Sequence, residues 1–351
     1  MIQSIATADP STLAGFDTII DVRSPAEFAE DHVPGAINLP VLDNAERAQV
    51  GTIYVQESRF LARRVGAALV ARNIARHLET ALADRTGAFA PLVYCWRGGQ
   101  RSGAMATVLD QVGWRVGLLQ GGYKTYRRRV TAALYNAEPA FRVVLLDGLT
   151  GVAKTDILQR VGALGAQTID LEGLAGHRGS LFGATRGGQP HQKLFESRLL
   201  AALDDLDPGR PILMEAESSK IGDINLPPTL WKAMLMAPRI VLTAPRDARA
   251  CYLLEAYGDI AAESGVLADT LARLPIHISR EQVNIWRAQA IVGDHLALAE
   301  SLMAVHYDPA YERSSRADSR DTLATVDLSD LSLASRVTAA GRIAPLLDFQ
   351  P

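Results

Sequence analysis

RVVLLDGLTGVAKTDILQRV, residues 142–161, decides the fold of the second half of this chain. Arg142 to Asp147 is a short apolar run, as expected of a strand buried on both faces, and Asp156 to Val161 has helical spacing. Between them Gly148-Leu149-Thr150-Gly151-Val152-Ala153-Lys154-Thr155 has the residue types with which a strand-to-helix loop wraps phosphate. Backbone N–H groups and the helix N-terminus would face the anion, Lys154 would add a point charge, and Thr155 could ligate Mg²⁺. The candidate diphosphate contacts are therefore Gly148, Thr150, Gly151, Val152, Ala153, Lys154 and Thr155. Ala153 stands where the pattern asks for glycine, and its methyl would crowd a phosphate if the backbone there needs positive φ or close approach. A plain strand-to-helix turn has the same outline and is the alternative.

Working outward, QTIDLEGL reads as strand and turn, QKLFESRLLAALDDL as helix, and PILMEAES and RIVLTAP as further strands. Strands alternating with helices imply a parallel sheet covered on both faces. Glu215 and Glu217 close an apolar strand, where either could present a carboxylate to a metal or a water; a solvated strand end is the other meaning. Two glycine-rich polar segments, 172–180 and 187–196, are long enough to be functional. His177, Arg178, Ser180, Gln189 and Gln192, with Lys220 beyond them, are candidate substrate contacts, against the alternative of surface decoration. From about Ala248 the pattern is mostly helical, including Ile285 to Val305, and the last twenty or so residues give weaker signals.

Upstream, FDTIIDVR, PLVY and WRVGLLQ read as strands separated by helical stretches. Periodicity lapses around 135–140, which places a domain boundary there, with domains at 1–136 and 137–351. The 36 basic and 39 acidic side chains leave a net charge of −3, so any polyanion must meet a local patch rather than a global field. Only Cys95 and Cys251 are present, too few for a disulfide framework, and MIQSIATADP lacks the basic flank and apolar core of an export signal, so export is not expected. No apolar run is long enough to span a bilayer, so the expectation is a cytoplasmic protein without membrane contact.

Cys95-Trp96-Arg97-Gly98-Gly99-Gln100-Arg101-Ser102 joins a strand to a helix through a turn whose amides can curl around an anion or a thiolate. Arg97, Arg101 and the helix N-terminus would lower the thiol pKa and make Cys95 a nucleophile. Trp96, Gly98, Gly99, Gln100 and Ser102 complete the candidate anion cradle. A small hydrophobe at a strand end is the commoner fate of a cysteine.

With DVRSPAEF (21–28) and HVPGAINLP (32–40) ahead of it, this loop makes residues 5–130 resemble a rhodanese-like domain. The resemblance implies chalcogen transfer at Cys95. Five residues separate Cys95 from Arg101, one more than in common sulfurtransferases and the count of the related cysteine phosphatases, although Tyr94 stands where those usually have histidine. The combination with GLTGVAKT, and the further segments LQGGYKTYRR, DLEGLAGHRGSLFG, QPHQKLFESRL and EAESSKIG, resembles the tRNA 2-selenouridine synthase family over roughly residues 15–225. The implied architecture is α/β: an N-terminal rhodanese-like parallel-sheet domain, then a P-loop NTPase-like α/β domain with C-terminal helices.

That resemblance implies conversion of 2-thiouridine at the tRNA wobble position to 2-selenouridine through an S-geranyl intermediate. Geranyl diphosphate and selenophosphate are the implied substrates, and an enzyme supplying selenophosphate is a possible partner. The competing reading is a P-loop phosphotransferase with a rhodanese-like regulatory or phosphatase module, and it requires tight ATP binding. Binding of tRNA would draw on local charge. The stretch 59–78 holds five arginines and no acid, among them Arg63, Arg64 and Arg72, and Lys124, Arg127 and Arg128 form a second basic cluster. A solvated helix face is the alternative for these residues. Trp96 could stack on a splayed wobble base or belong to the core.

Overall fold

Two five-stranded sheets, parallel in every pairing, carry the two loops singled out above. The computed structural model describes residues 1–179, 183, 187–256, 267, 271, 278–316 and 320–347. The chain divides into two compact units, Met1–Ala137 with Pro190–Asp205, and Glu138–Gln189 with Leu206–Pro351.

In the first unit the strand order is β1 (Gln3–Ile5), β5 (Gly117–Leu119), β4 (Pro91–Tyr94), β2 (Thr18–Asp21) and β3 (Ile37–Asn38). Every residue of the central strand β4 is buried, which is why PLVY carries no polar alternation. Cys95 follows at its C-terminal end, and the helix Gln100–Val112 then packs Met105 and Leu109 onto the same core as Ile20 and Val93. That helix stops at Gly113, whose φ of 105° suits the left-handed cap that terminates helices. The helix Gln192–Asp204, expected to lie within the second domain, belongs to this unit. Ion pairs Arg127–Glu196, Arg129–Asp204 and Lys193–Glu30 hold it there.

In the second unit the order is β12 (Thr322–Asp327), β11 (Arg239–Thr243), β6 (Val143–Gly148), β8 (Ile212–Glu215) and β7 (Gln167–Ile169), while β9 (Lys220–Ile221) and β10 (Ile224–Asn225) pair antiparallel in a small ribbon of their own. The central strand β6 is buried throughout, and its C-terminal end delivers Gly148 beside the end of β8, where Leu146 pairs with Glu215. Helices Lys154–Ala163 and Leu333–Ile343 share a core with Leu146, Leu213 and Leu242. β12 is a correction to the sequence reading, which saw mostly helix beyond Ala248. TLATVD is short and exposed at Thr322, Leu323 and Thr325, as an edge strand can be, so it offers no continuous apolar run to detect. Among the described residues no helix is long and apolar enough to cross a membrane.

Candidate active site: a thiol loop and a phosphate loop

The cysteine loop is built against a second turn. Tyr123 N–H donates to the Cys95 carbonyl at 2.8 Å and Lys124 N–H to the Trp96 carbonyl at 3.3 Å. This closeness needs Gly122: its φ is +57°, and a Cβ there would lie 2.1 Å from the Cys95 carbonyl oxygen and 2.6 Å from Gly98 N. Cys95 is 3% exposed, and its sulfur accepts from Ser102 Oγ at 3.1 Å and from Gly99 N–H at 3.3 Å. Burial opposes ionisation of the thiol, but the Ser102 hydroxyl and the amides of Ser102, Arg97 and Gly99 outweigh it and hold the thiol below its ordinary range.

The sequence reading credited the two arginines and the helix N-terminus with that effect. The helix-start amides of Gly99 and Ser102 do lower the thiol, together with the Ser102 hydroxyl, but Arg97 contributes its amide rather than its charge. The Arg97 side chain is exposed, and the Arg101 guanidinium donates to Glu27 at 2.8 Å, sharing that carboxylate with Arg47 at 2.9 Å. Trp96 is half-buried and Gln100 exposed, and Gly98 has a φ of +66° with no room for a Cβ against the Leu119 carbonyl.

The second loop opens at Gly148, anchored by Asp147, whose carboxylate accepts from Gly148 N–H at 2.8 Å, from Arg239 at 3.1 Å and from the Tyr311 hydroxyl. Buried Arg249 donates to the Thr150 carbonyl at 3.0 Å while paired to Asp308 at 2.9 Å, which braces the middle of the loop. Gly151 has a φ of +83°, and a Cβ would press on Leu253 and the Arg249 carbonyl. Lys154 Nζ donates to the Gly148 carbonyl at 2.9 Å, folding the ammonium over the loop.

Ala153 is the one non-glycine residue with positive φ among those described, at 62°. It is 3% exposed and belongs to the hydrophobic core of this unit with Val152, Ile157 and Leu158. A left-handed alanine costs on the order of 1–2 kcal/mol.

A cavity of about 490 Å³ adjoins this loop, lined by Thr150 to Asp156 together with the polar Glu172, Arg178 and Glu217 and with Tyr252, Leu253 and Ala256. Thr155 Oγ1 donates to Glu172 at 3.1 Å. Burial, then the Glu217 carboxylate, pushes Glu172 well above the usual carboxylate range, against the pull of Lys154 and Thr155. Glu217 is raised by burial too. Glu215, fully buried, accepts from Leu171 N–H at 3.0 Å through one oxygen, while its other oxygen has no partner. Among the described residues no three carboxylate, imidazole or thiol groups converge to hold a metal by themselves. Thr155 and the orphaned Glu215 oxygen nonetheless supply hard oxygen donors, the chemistry that suits Mg²⁺ when substrate oxygens and water complete its shell.

Residues 8–129 match the model of the rhodanese-like domain, and residues 141–272 match that of the tRNA 2-selenouridine synthase AAA domain. A tRNA 2-selenouridine synthase from Cupriavidus pinatubonensis is 34% identical over 335 residues, covering 85% of this chain and 89% of its own. Those from Aeromonas salmonicida and Shewanella pealeana are 35% and 32% identical, covering 84% of this chain in each case and 86% and 87% of their own. The chain belongs to the tRNA 2-selenouridine synthase family.

Within this family member the remaining sequence candidates fall in different places. Arg178 lines the phosphate-loop cavity. His177 accepts from Gly179 N–H at 3.2 Å, and burial lowers its pKa. Gln189 braces backbone, donating to the Ala175 and Ile221 carbonyls and accepting from Asp223 N–H, and Lys220 pairs with Asp223 at 3.7 Å. Gln192 opens the helix of the first unit and donates to Glu196. Ser180 lies outside the described residues. Arg63, Arg64, Arg72, Lys124 and Arg128 are exposed, whereas Arg127 turns inward to Glu196 and Asp31.

Sequence reasoning missed Gly122, Tyr123 and Glu172 as parts of these two sites. The GGY of LQGGYKTYRR was visible as motif, but only the folded chain shows that it closes on the cysteine loop.

Proposed function

We propose that this synthase-family chain converts 2-thiouridine at the tRNA wobble position to 2-selenouridine by way of an S-geranyl intermediate. The supporting observation is the pairing in one chain of a hydrogen-bonded, acidified thiol at Cys95 with an amide loop that opens on a cavity whose lining includes Lys154 and Arg178 as well as Leu253 and Ala256. Diphosphate would rest on the amides of 148–155 and Lys154, and an isoprenoid tail would lie against Tyr252, Leu253 and Ala256.

In the first step the thiocarbonyl sulfur forms a bond to the first carbon of the geranyl group, and the C–O bond breaks with its electron pair leaving on diphosphate. The nucleobase loses its N3 proton. Lys154 and the loop amides act where the leaving charge develops, which is the interaction that accelerates such a step. Mg²⁺, held by Thr155 and Glu215, would add further compensation for that charge. Alkylation turns sulfur into a leaving group: the selenium of selenophosphate bonds to C2 as the C–S bond breaks and geranylthiol departs, and water then cleaves the P–Se bond to leave selenouridine and phosphate, with Cys95 as the residue that activates the donor. A selenophosphate-supplying enzyme is then the natural partner. The phosphates of tRNA would meet Arg63, Arg64, Arg72, Lys124 and Arg128.

The test is nucleoside mass spectrometry of tRNA from a strain lacking the gene. Loss of 2-selenouridine with 2-thiouridine retained is expected; unchanged selenouridine would refute the proposal.

A further inference from the structure

Arg23 is 1% exposed, yet it is no orphan charge. Its guanidinium binds Asp21 through Nη2 at 2.6 Å and through Nε at 3.0 Å, and also donates to the Asp31 carbonyl. Three aromatic rings surround it, with centroids at 4.2 Å for Tyr123, 5.7 Å for Tyr94 and 5.8 Å for Trp96. A buried cation is tolerated when a carboxylate and ring faces replace its water. The consequence is rigidity next to the thiol.

Trp96, the residue after Cys95, stacks on Tyr123 with centroids 5.1 Å apart and planes inclined by 28°. Tyr123 is itself fixed at both ends. Its backbone N–H holds the Cys95 carbonyl, and its hydroxyl donates to buried Asp31 at 2.7 Å. Tyr123 is 3% exposed, whereas Trp96 remains half-buried. An indole backed by a clamped ring and left partly open beside a reactive thiol has the form of a stacking surface for a planar heterocycle, the means by which proteins hold unstacked bases.

We propose that Trp96 is a platform for one flipped-out pyrimidine base presented to Cys95, and that Tyr123, fixed by Asp31 and Arg23, is its positioning residue. The inference rests on the reading of a thiolated tRNA as substrate. It goes further in assigning the base a docking surface and in separating binding of the base from binding of the RNA backbone.

The test uses the full-length chain and two labelled anticodon stem-loop RNAs, one with 2-thiouridine at the wobble position and one abasic there. Trp96→Ala is expected to weaken binding of the thiolated RNA by about tenfold, the scale of losing one base–aromatic stack, and to leave the abasic RNA unaffected. Trp96→Phe keeps a ring and should recover most of the loss. Tyr123→Phe should raise KM for the thiolated RNA with kcat unchanged, since it removes only the hydroxyl that fixes the ring to Asp31. The iodoacetamide reactivity of Cys95 should be the same in wild type and Trp96→Phe.

Equal affinity of wild type and Trp96→Ala for the thiolated RNA overturns the platform while leaving the proposed reaction standing. Equal losses on both RNAs also overturn it. Failure of the wild type to bind or modify thiolated RNA at all removes the reaction and the platform together.

Discussion

Ser102 Oγ donates to Cys95 Sγ at 3.1 Å from the first turn of the helix that follows the cysteine loop. This hydroxyl is the largest favourable influence on the thiolate, set against burial. Ser102→Ala should therefore move the midpoint of iodoacetamide alkylation to higher pH and slow the reaction near pH 7 by roughly tenfold, the scale of a hydrogen bond to a charged group. An unchanged pH profile would assign the acidification elsewhere. Arg101→Ala, which acts on a guanidinium already bound to Glu27, should shift that profile far less.

Gly122→Ala tests the dependence of the thiol loop on its companion turn. The added methyl meets backbone at 2.1 Å, at a φ of +57°, with no flexible neighbour to yield. A loss of at least about 2–3 kcal/mol in urea unfolding is expected. Gly103→Ala, in the adjoining helix with open space around its Cβ, should be neutral or stabilising by up to about 1 kcal/mol. Equal effects of the two would contradict the packing described.

Glu172 and Glu217 make the second unit sensitive to pH. Both are raised in the folded chain, so in the window above the ordinary carboxylate range the folded state binds more protons than the unfolded one. Their stabilising contribution is complete at acid pH and is lost as pH rises through the folded values. The facing groups are Lys154 and Thr155, which oppose the shift, and Asp170 and Glu215. Glu172→Gln should consequently raise Tm at pH 8 relative to wild type and do so less at pH 5. A larger gain at pH 5 would reverse the sign of the argument.

Ala153 raises the question of whether its methyl limits the phosphate site. The residue is packed into the core, so Ala153→Gly should leave pyrophosphate affinity within about twofold. Its stability should change by no more than about 1 kcal/mol, because relief of the left-handed strain is offset by lost packing and a freer unfolded chain. A tenfold gain in affinity would show instead that the methyl crowds the anion.

Both loops were legible as strand, glycine-rich turn and helix because each requirement is local: an apolar strand, residues that permit the turn, and a hydroxyl at the helix start. What closes each loop was not legible. Gly122 and Tyr123 meet Cys95 only once β4 and β5 are neighbours, and Glu172 reaches Thr155 only when the end of β7 is brought beside the loop. The helix Gln192–Asp204 showed an apolar face in its sequence, but periodicity says that a face is buried and not against which partner. β12 escaped notice because it joins the sheet by backbone pairing with β11 while four of its six side chains stay exposed and only Val326 is buried in the core.

The central claim is that the phosphate loop serves the alkylation and the thiol loop the selenium step. Mass spectrometry of a 2-thiouridine anticodon stem-loop, incubated with geranyl diphosphate, selenophosphate and each variant, tests it most directly. Cys95→Ala should accumulate the S-geranyl nucleoside without selenouridine, and Lys154→Ala should leave most of the 2-thiouridine unalkylated. The same product spectrum from both variants, or full geranylation by Lys154→Ala, would contradict it.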